Sequence, residues 1–217
     1  MRNVKYIVTV AVMAAAITAS SIYTHQSFLR IMPLYVSLVI MLMQSRVNRY
    51  AYVIGGINAC IYGVVYIYYG MYGFAANAFL MSCPLQIATF IRWKKRAYKQ
   101  SVVLRKMSAK LRIAVAALGI LAFAAYYLVL KLVGSASSLW ESASTILSLA
   151  ATLLTLLAYI EYTYLSLASS FANVVLFATV MLTVPEQLPY LIYNTYAFVC
   201  MVIQFVSARR LYKAQQK

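Results

Sequence analysis

The 217-residue chain is 65% hydrophobic and only 10% charged, with a mean hydropathy of +0.81. A soluble domain carries about 25% charged residues, so this chain cannot clothe a water-facing surface and reads as an all-α polytopic membrane protein. Its net charge of +16 would suit a nucleic-acid partner, but the basic residues sit in short loops beside apolar runs. There they set membrane orientation and meet membrane lipid, so no nucleic acid is expected.

Residues 6–23 form the first apolar run, after Arg2 and Lys5. A basic start and the small residues of AITASS would also fit a removable signal peptide; a retained accessory span is the expectation. Residues 28–44 are a short run with Pro33 near its start, and a re-entrant segment stays open there. Arg30 can snorkel at its end. Spans over 50–70 and 72–92 follow, joined by a YYGMYG turn. Next comes a strongly basic stretch, WKKRAYKQSVVLRKMSAKLR, from Trp93 to Arg112. Spans over 113–133, 139–159, 161–183 and 187–207 make eight in all.

With the N-terminus inside, 17 of the 19 lysines and arginines fall on the cytoplasmic side, leaving Arg30 and Lys131 outside. Both termini are then cytoplasmic, and the expected location is a bacterial-type cytoplasmic (inner) membrane. Cys60, Cys83 and Cys200 all lie in predicted spans. An odd number without CxxC indicates neither a disulfide framework nor a zinc site, and they read as small buried apolar residues.

Shifting the sequence by 115 residues places Asn58 on Asn173 and Lys94–Lys95 on Arg209–Arg210. Under the same shift Asn77 lands near Asn194 and Gln86 near Gln204. Two parallel three-helix repeats joined by a linking helix, a 1+3+1+3 plan, follow from this register. That is the SWEET-like symmetry class. The segments are then an accessory helix (1–27), a first repeat (28–93), a basic link and linking helix (94–138), a second repeat (139–208) and a basic tail (209–217).

Polar side chains inside spans tend to face the bundle interior. Asn58, Asn77, Asn173 and Asn194 should converge on the repeat axis, with Gln86 nearby. Amides donate and accept hydrogen bonds, which suits a neutral polar solute; taken singly, each amide serves equally well as glue between helices. Among the 20 tyrosines, Tyr193 and Tyr196 lie deep, beside Asn194, where a ring could stack on a flat heterocycle. The three acids, Glu141, Glu161 and Glu186, all sit near span ends. Ion-coupled pumps employ intramembrane carboxylates, so facilitated diffusion is expected. No GxxxxGK[ST], HExxH or GxSxG occurs, so neither ATP-driven transport nor a membrane enzyme is indicated, and no cofactor or metal is implied.

The stretch GMYGFAANAFLMSCPLQIATFIRWKKR (70–96) resembles the third-span region of the Pnu-type nicotinamide riboside transporter family. Pro84, Gln86 and Trp93 match that family's P-x-Q-x-x-G-x-x-x-W run, whose glycine is not kept here. SRVNRYAYVIGGINACIYG (45–63) is similar to the span before it, and Asn173 matches the asparagine closing a W-x-x-W-x-x-x-N motif. The resemblance covers residues 29–208. It implies a SWEET-like fold of seven core helices that moves a vitamin precursor by facilitated diffusion, with a cytoplasmic kinase trapping the solute. The motif's two tryptophans, part of the family's substrate site, are replaced here by Ser166 and Ser169. That leaves a roomier, more polar wall and keeps thiamine, riboflavin or a nucleoside open beside nicotinamide riboside. A small-solute channel and a non-transporting scaffold are the rival classes; the sequence leaves homo-oligomerisation open.

Overall fold

A computed structural model describes residues 2–135 and 137–216, without the side chains of residues 2–6, 73 and 74. The basic side chains of Arg2, Lys5 and Lys217, which contribute to the orientation expected above, lie outside the described residues. Lipid offers the backbone no hydrogen-bond partners, so an apolar chain of this kind must satisfy itself as helix. It does so in α1 (Arg2–Tyr23), α2 (Phe28–Ser45), α3 (Tyr50–Tyr68), α4 (Tyr72–Asn77), α5 (Cys83–Lys95), α6 (Ala109–Leu132), α7 (Ser138–Leu156), α8 (Tyr162–Met181) and α9 (Leu188–Gln215). A π-helical turn, Ala78–Ser82, joins α4 to α5. Among the described residues these make eight helical rods, six of them each long and apolar enough to span a membrane alone. Of the other two, α1 has a shorter apolar run, Ile7–Tyr23, and the α4–α5 rod is interrupted by the π turn.

The doubtful run at 28–44 is one helix of 18 residues, about 27 Å long at 1.5 Å per residue. Pro33 sits in its second turn, early enough that the helix continues. Helix α2 packs on α3 and α9, α3 on α5, α7 on α8 and α5, and α8 on α9. Helix α1 lies against α9 and α2, and α6 packs on α7 without burying any of its own side chains.

Gly55, Ala59 and Gly63 recur every four residues on α3, the spacing that lets membrane helices approach closely. A Cβ at Gly63 would collide with the Phe79 ring. Gly63→Ala should therefore destabilise the protein by about 1–3 kcal/mol through overpacking, and in a Phe79→Ala background, where the ring is gone, the same change should cost little. Thermal unfolding of these variants in detergent checks this; a parental melting point for Gly63→Ala would contradict it. Cys60 and Cys83 are half-buried with their sulfurs 3.4 Å apart across α3 and α5, while Cys200 is buried.

The basic stretch is more than a solvated loop. It forms a small hairpin, β1 (Ala97–Tyr98) against β2 (Ser101–Val102), and then docks on the helix ends. Arg105 N–H donates to the Ala158 carbonyl at 2.9 Å, and Ile160 N–H to the Arg105 carbonyl at 2.8 Å. The Gln215 amide clamps the link from α9, accepting from Leu104 N–H and donating to the Val102 carbonyl, each at 2.9 Å. Val102, Leu104 and Met107 are buried against Tyr52, Trp93 and Tyr162. We refer to this end of the molecule as the basic face. The predicted tail is helical through Gln215, as the continuation of α9.

Candidate functional site

Three cavities lie in succession along the bundle. At the end opposite the basic face, one of about 530 Å³ opens among Arg30, Tyr62, Tyr66, Tyr69, Phe177 and Tyr190. Tyr62 and Tyr66 also line the next, of about 260 Å³, with Ser37, Asn58, Asn77 and Ser82. That middle cavity shares Met41, Gln44 and Gln86 with an inner one of about 340 Å³. The inner cavity draws side chains from α2, α3, α5, α7, α8 and α9, and none from α1 or α6. It ends at Tyr52, Thr155 and Tyr162, two of whose rings sit edge-on to Trp93 with centroids 4.8 and 6.3 Å away. Trp93 is fully buried, and its indole N–H donates to the Thr155 carbonyl at 2.7 Å.

The π turn matters to the middle cavity. One extra residue per turn brings Asn77 and Ser82, five apart, onto the same wall, with Gln86 one α-turn further. Pro84, two residues past the turn, has no N–H to give it; such turns mark functional sites often enough to count in favour of one.

Among the described residues, no Lys, Arg, Asp or Glu lines the middle or inner cavity. All three acids are engaged at helix ends. Glu161 pairs with Arg112 at 2.7 Å and accepts from Met107 N–H. Glu141 accepts from Ser135 Oγ at 2.8 Å, and Glu186 lies 3.8 Å from Arg30. The polar lining is amide and hydroxyl. Three buried atoms in it, Asn58 Oδ1, Gln86 Oε1 and the Tyr162 hydroxyl, have no hydrogen-bond partner among the described residues. Buried polar groups are rarely left so.

Of the residues singled out from sequence, Ser166, Ser169, Asn173, Tyr193 and Asn194 line the inner cavity, Asn58 and Asn77 the middle one, and Gln86 both. The four asparagines therefore divide between two adjoining cavities instead of meeting at one point. Asn58 is drawn toward α2, donating to Ser37 Oγ at 2.8 Å and the Pro33 carbonyl at 3.3 Å. Asn173 accepts from Ser144 Oγ at 2.7 Å and donates to the Ser169 carbonyl at 3.1 Å. Asn194 donates to its own helix at Tyr190. Tyr196 lines neither cavity: it is buried with Ile17, Leu34 and Leu38, and its hydroxyl donates to the Leu38 carbonyl at 3.1 Å.

Gln44, Thr89, Thr152, Thr155 and Gln204 also line the inner cavity and were not among the predicted site residues. A signal for all of them but Thr89 exists. Ser37/Met41/Gln44, Ser148/Thr152/Thr155, Ser166/Ser170/Asn173 and Ala197/Met201/Gln204 all repeat at i, i+4, i+7, one stripe of each helix.

A family model described as "Nicotinamide mononucleotide transporter" matches residues 27–207. A solved structure described as "Crystal structure of the Vitamin B3 transporter PnuC" superposes with a TM-score of 0.75 at 18% identity, covering 97% of this chain and 92% of that one. At that identity the likeness establishes a shared fold. No curated protein matches the sequence. The matched family covers the six cavity-forming helices and is one of transporters, not enzymes, so this membrane protein belongs to the nicotinamide mononucleotide transporter family.

Proposed function

We propose that the protein is a facilitative carrier of a vitamin precursor or nucleoside-like solute without a phosphate group, nicotinamide riboside being the first candidate. The observation that carries this is the uncharged lining of the inner cavity. A phosphate monoester buried there would find no cation, and an unpaired buried charge costs several kcal/mol. Hydroxyls and a carboxamide, by contrast, match the amide and hydroxyl wall and its orphaned acceptors. Tyr193 supplies a ring for a flat heterocycle. Ser166 and Ser169, standing where the family motif has tryptophans, enlarge the wall and keep thiamine, riboflavin and deoxynucleosides within the candidate class.

Two three-helix halves in the 1+3+1+3 plan are supported by matched detail. Asn58 bonds Ser37 across α2 and α3, and Asn173 bonds Ser144 across α7 and α8. The first helix of each half packs on the last helix of the other, α2 on α9 and α7 on α5. The density of lysine and arginine on the basic face makes it the cytoplasmic one in an inner membrane, with both termini inside. The solute then enters from the opposite face, waits above the Trp93 seal, and leaves when that seal opens. Accumulation follows from phosphorylation by a cytoplasmic kinase, because the phosphorylated product no longer fits the cavity.

The test is calorimetric binding to the purified protein of nicotinamide riboside, its 5′-phosphate, thiamine and riboflavin, with uptake into liposomes alongside. An unphosphorylated ligand should bind, and its phosphate ester should bind about 100-fold more weakly or worse. Equal competition by the phosphate ester would overturn the reading. Steady conductance in planar bilayers would favour a channel instead.

A further inference from the structure

A second site lies on the basic face, outside the path just described. The pocket there, about 740 Å³, is bounded by Lys106 and Arg112 from the link and α6, and by Arg209, Arg210 and Lys213 near the end of α9. Five cations thus face one acid, Glu161, which is already paired with Arg112 at 2.7 Å. Its wall is aromatic: Tyr164 and Phe205 meet edge-to-face with centroids 5.1 Å apart, and the Arg209 guanidinium stacks 4.1 Å over Phe205. Aromatic rings at this level mark the membrane–water interface.

The pocket opens into an apolar groove of about 550 Å³ between α6 and α7, the two sharing Arg112, Glu161 and Tyr164. Val115, Gly119 and Phe123 line it from α6, facing Ala143, Leu147 and Leu154 of α7. From Arg112 to Phe123 the groove runs about 16 Å at 1.5 Å per residue, half the thickness of a hydrocarbon core. That is the reach of one acyl chain. A Cβ at Gly119 would meet nothing within 4 Å, so the groove is open at its middle.

We infer that this combined pocket and groove is a binding site for one anionic phospholipid, its phosphate among Arg209, Arg210 and Lys213 and an acyl chain between α6 and α7. Charge complementarity selects the headgroup, since cytoplasm-side basic pockets between membrane helices attract anionic lipid. The groove selects a lipid over a free anion, and the bound chain gives α6, which buries none of its own side chains, a second surface to pack on.

The test uses native mass spectrometry of the full chain in uncharged detergent, titrated with phosphatidylglycerol, with phosphatidylcholine of the same chains, and with inorganic phosphate. One phosphatidylglycerol should be retained at least tenfold more strongly than phosphatidylcholine, and phosphate should not displace it. Arg209→Gln with Arg210→Gln should reduce that preference about tenfold, and Gly119→Trp should weaken retention of both lipids. Because Arg209 also braces Tyr164 and Phe205, Lys106→Gln with Lys213→Gln, both exposed, provides a second charge variant and should lower the preference without altering solute binding. Equal retention of the two lipids, displacement by phosphate, or a preference unchanged in both charge variants would each overturn the proposal.

Discussion

Replacing Trp93 with alanine is expected to lower stability by about 3–5 kcal/mol, the range for deleting a fully buried large aromatic, and to unseat the closed end of the inner cavity. The indole is completely buried and touches three separate pieces of chain: Tyr52 on α3, Tyr162 on α8 and the docked link residues. Its N–H reaches the Thr155 carbonyl in the last turn of α7, which also accepts from Ala158 N–H at 2.9 Å. A single side chain of α5 thus holds α7 and α8 closed over the cavity. Trp93→Phe retains a ring and loses the hydrogen bond, for about 1 kcal/mol. Unfolding in detergent reports the stability change. In a cysteine-free background, a water-soluble thiol reagent added on the basic face should label a cysteine placed at Thr152 in Trp93→Ala but not beside an intact Trp93. If Trp93→Ala unfolds with the parent and Thr152 stays protected, the indole is not the seal.

The position of that tryptophan shows what a sequence can and cannot convey. Trp93 was recognisable as the end of a P-x-Q-x-x-G-x-x-x-W run, yet its role depends on Thr155, 62 residues away, and long-range pairing of that kind leaves no local pattern. The spans were legible because hydrocarbon imposes an apolar run of set length on each of them. Their ends were less so: α6 begins at Ala109 with Lys110 and Arg112 inside it, since long basic side chains reach water from a helix that has already started. Helix α9 has 28 residues, about 42 Å, and outruns a hydrocarbon core of about 30 Å, which is how Gln215 comes to clamp the link.

Intramembrane amides pointed to the cavity walls well, since a polar group facing lipid is costly. Tyr196, singled out for its ring and its depth beside Asn194, lines neither cavity. A phenol can satisfy its hydroxyl on a neighbouring carbonyl while burying its ring, and Tyr196 does so at Leu38, one helical turn from Tyr193, which lines the inner cavity. The π turn was foreshadowed only by Pro84. The docking of Val102, Leu104 and Met107 was hidden by the lysines and arginines interleaved with them, which dominate the average hydropathy of the stretch while pointing elsewhere.

Asn173→Leu should separate solute binding from folding more sharply than any other single change. Leucine nearly matches asparagine in length, so the half-buried site on α8 stays filled. Ser144 Oγ loses its acceptor at 2.7 Å but can turn to a carbonyl of its own helix, as serines in helices do, which holds the stability cost to about 1 kcal/mol. The inner cavity, however, loses an amide and gains an apolar face where a hydroxyl or carboxamide of the solute must be desolvated. Leaving such a group unmatched costs about 1–3 kcal/mol, so the dissociation constant should rise by roughly 5- to 150-fold and uptake should fall with it. Ser144→Ala frees Asn173 without removing it and should cost less; Tyr196→Phe, outside the cavities, should leave affinity unchanged. Neutralising the exposed Lys94, Lys95 and Arg96 should also spare solute binding, whereas a scaffold acting through its basic face would show the reverse pattern. Calorimetry and melting curves on the same preparations distinguish the two, and parental affinity in Asn173→Leu would mean that the inner cavity is not where the solute rests.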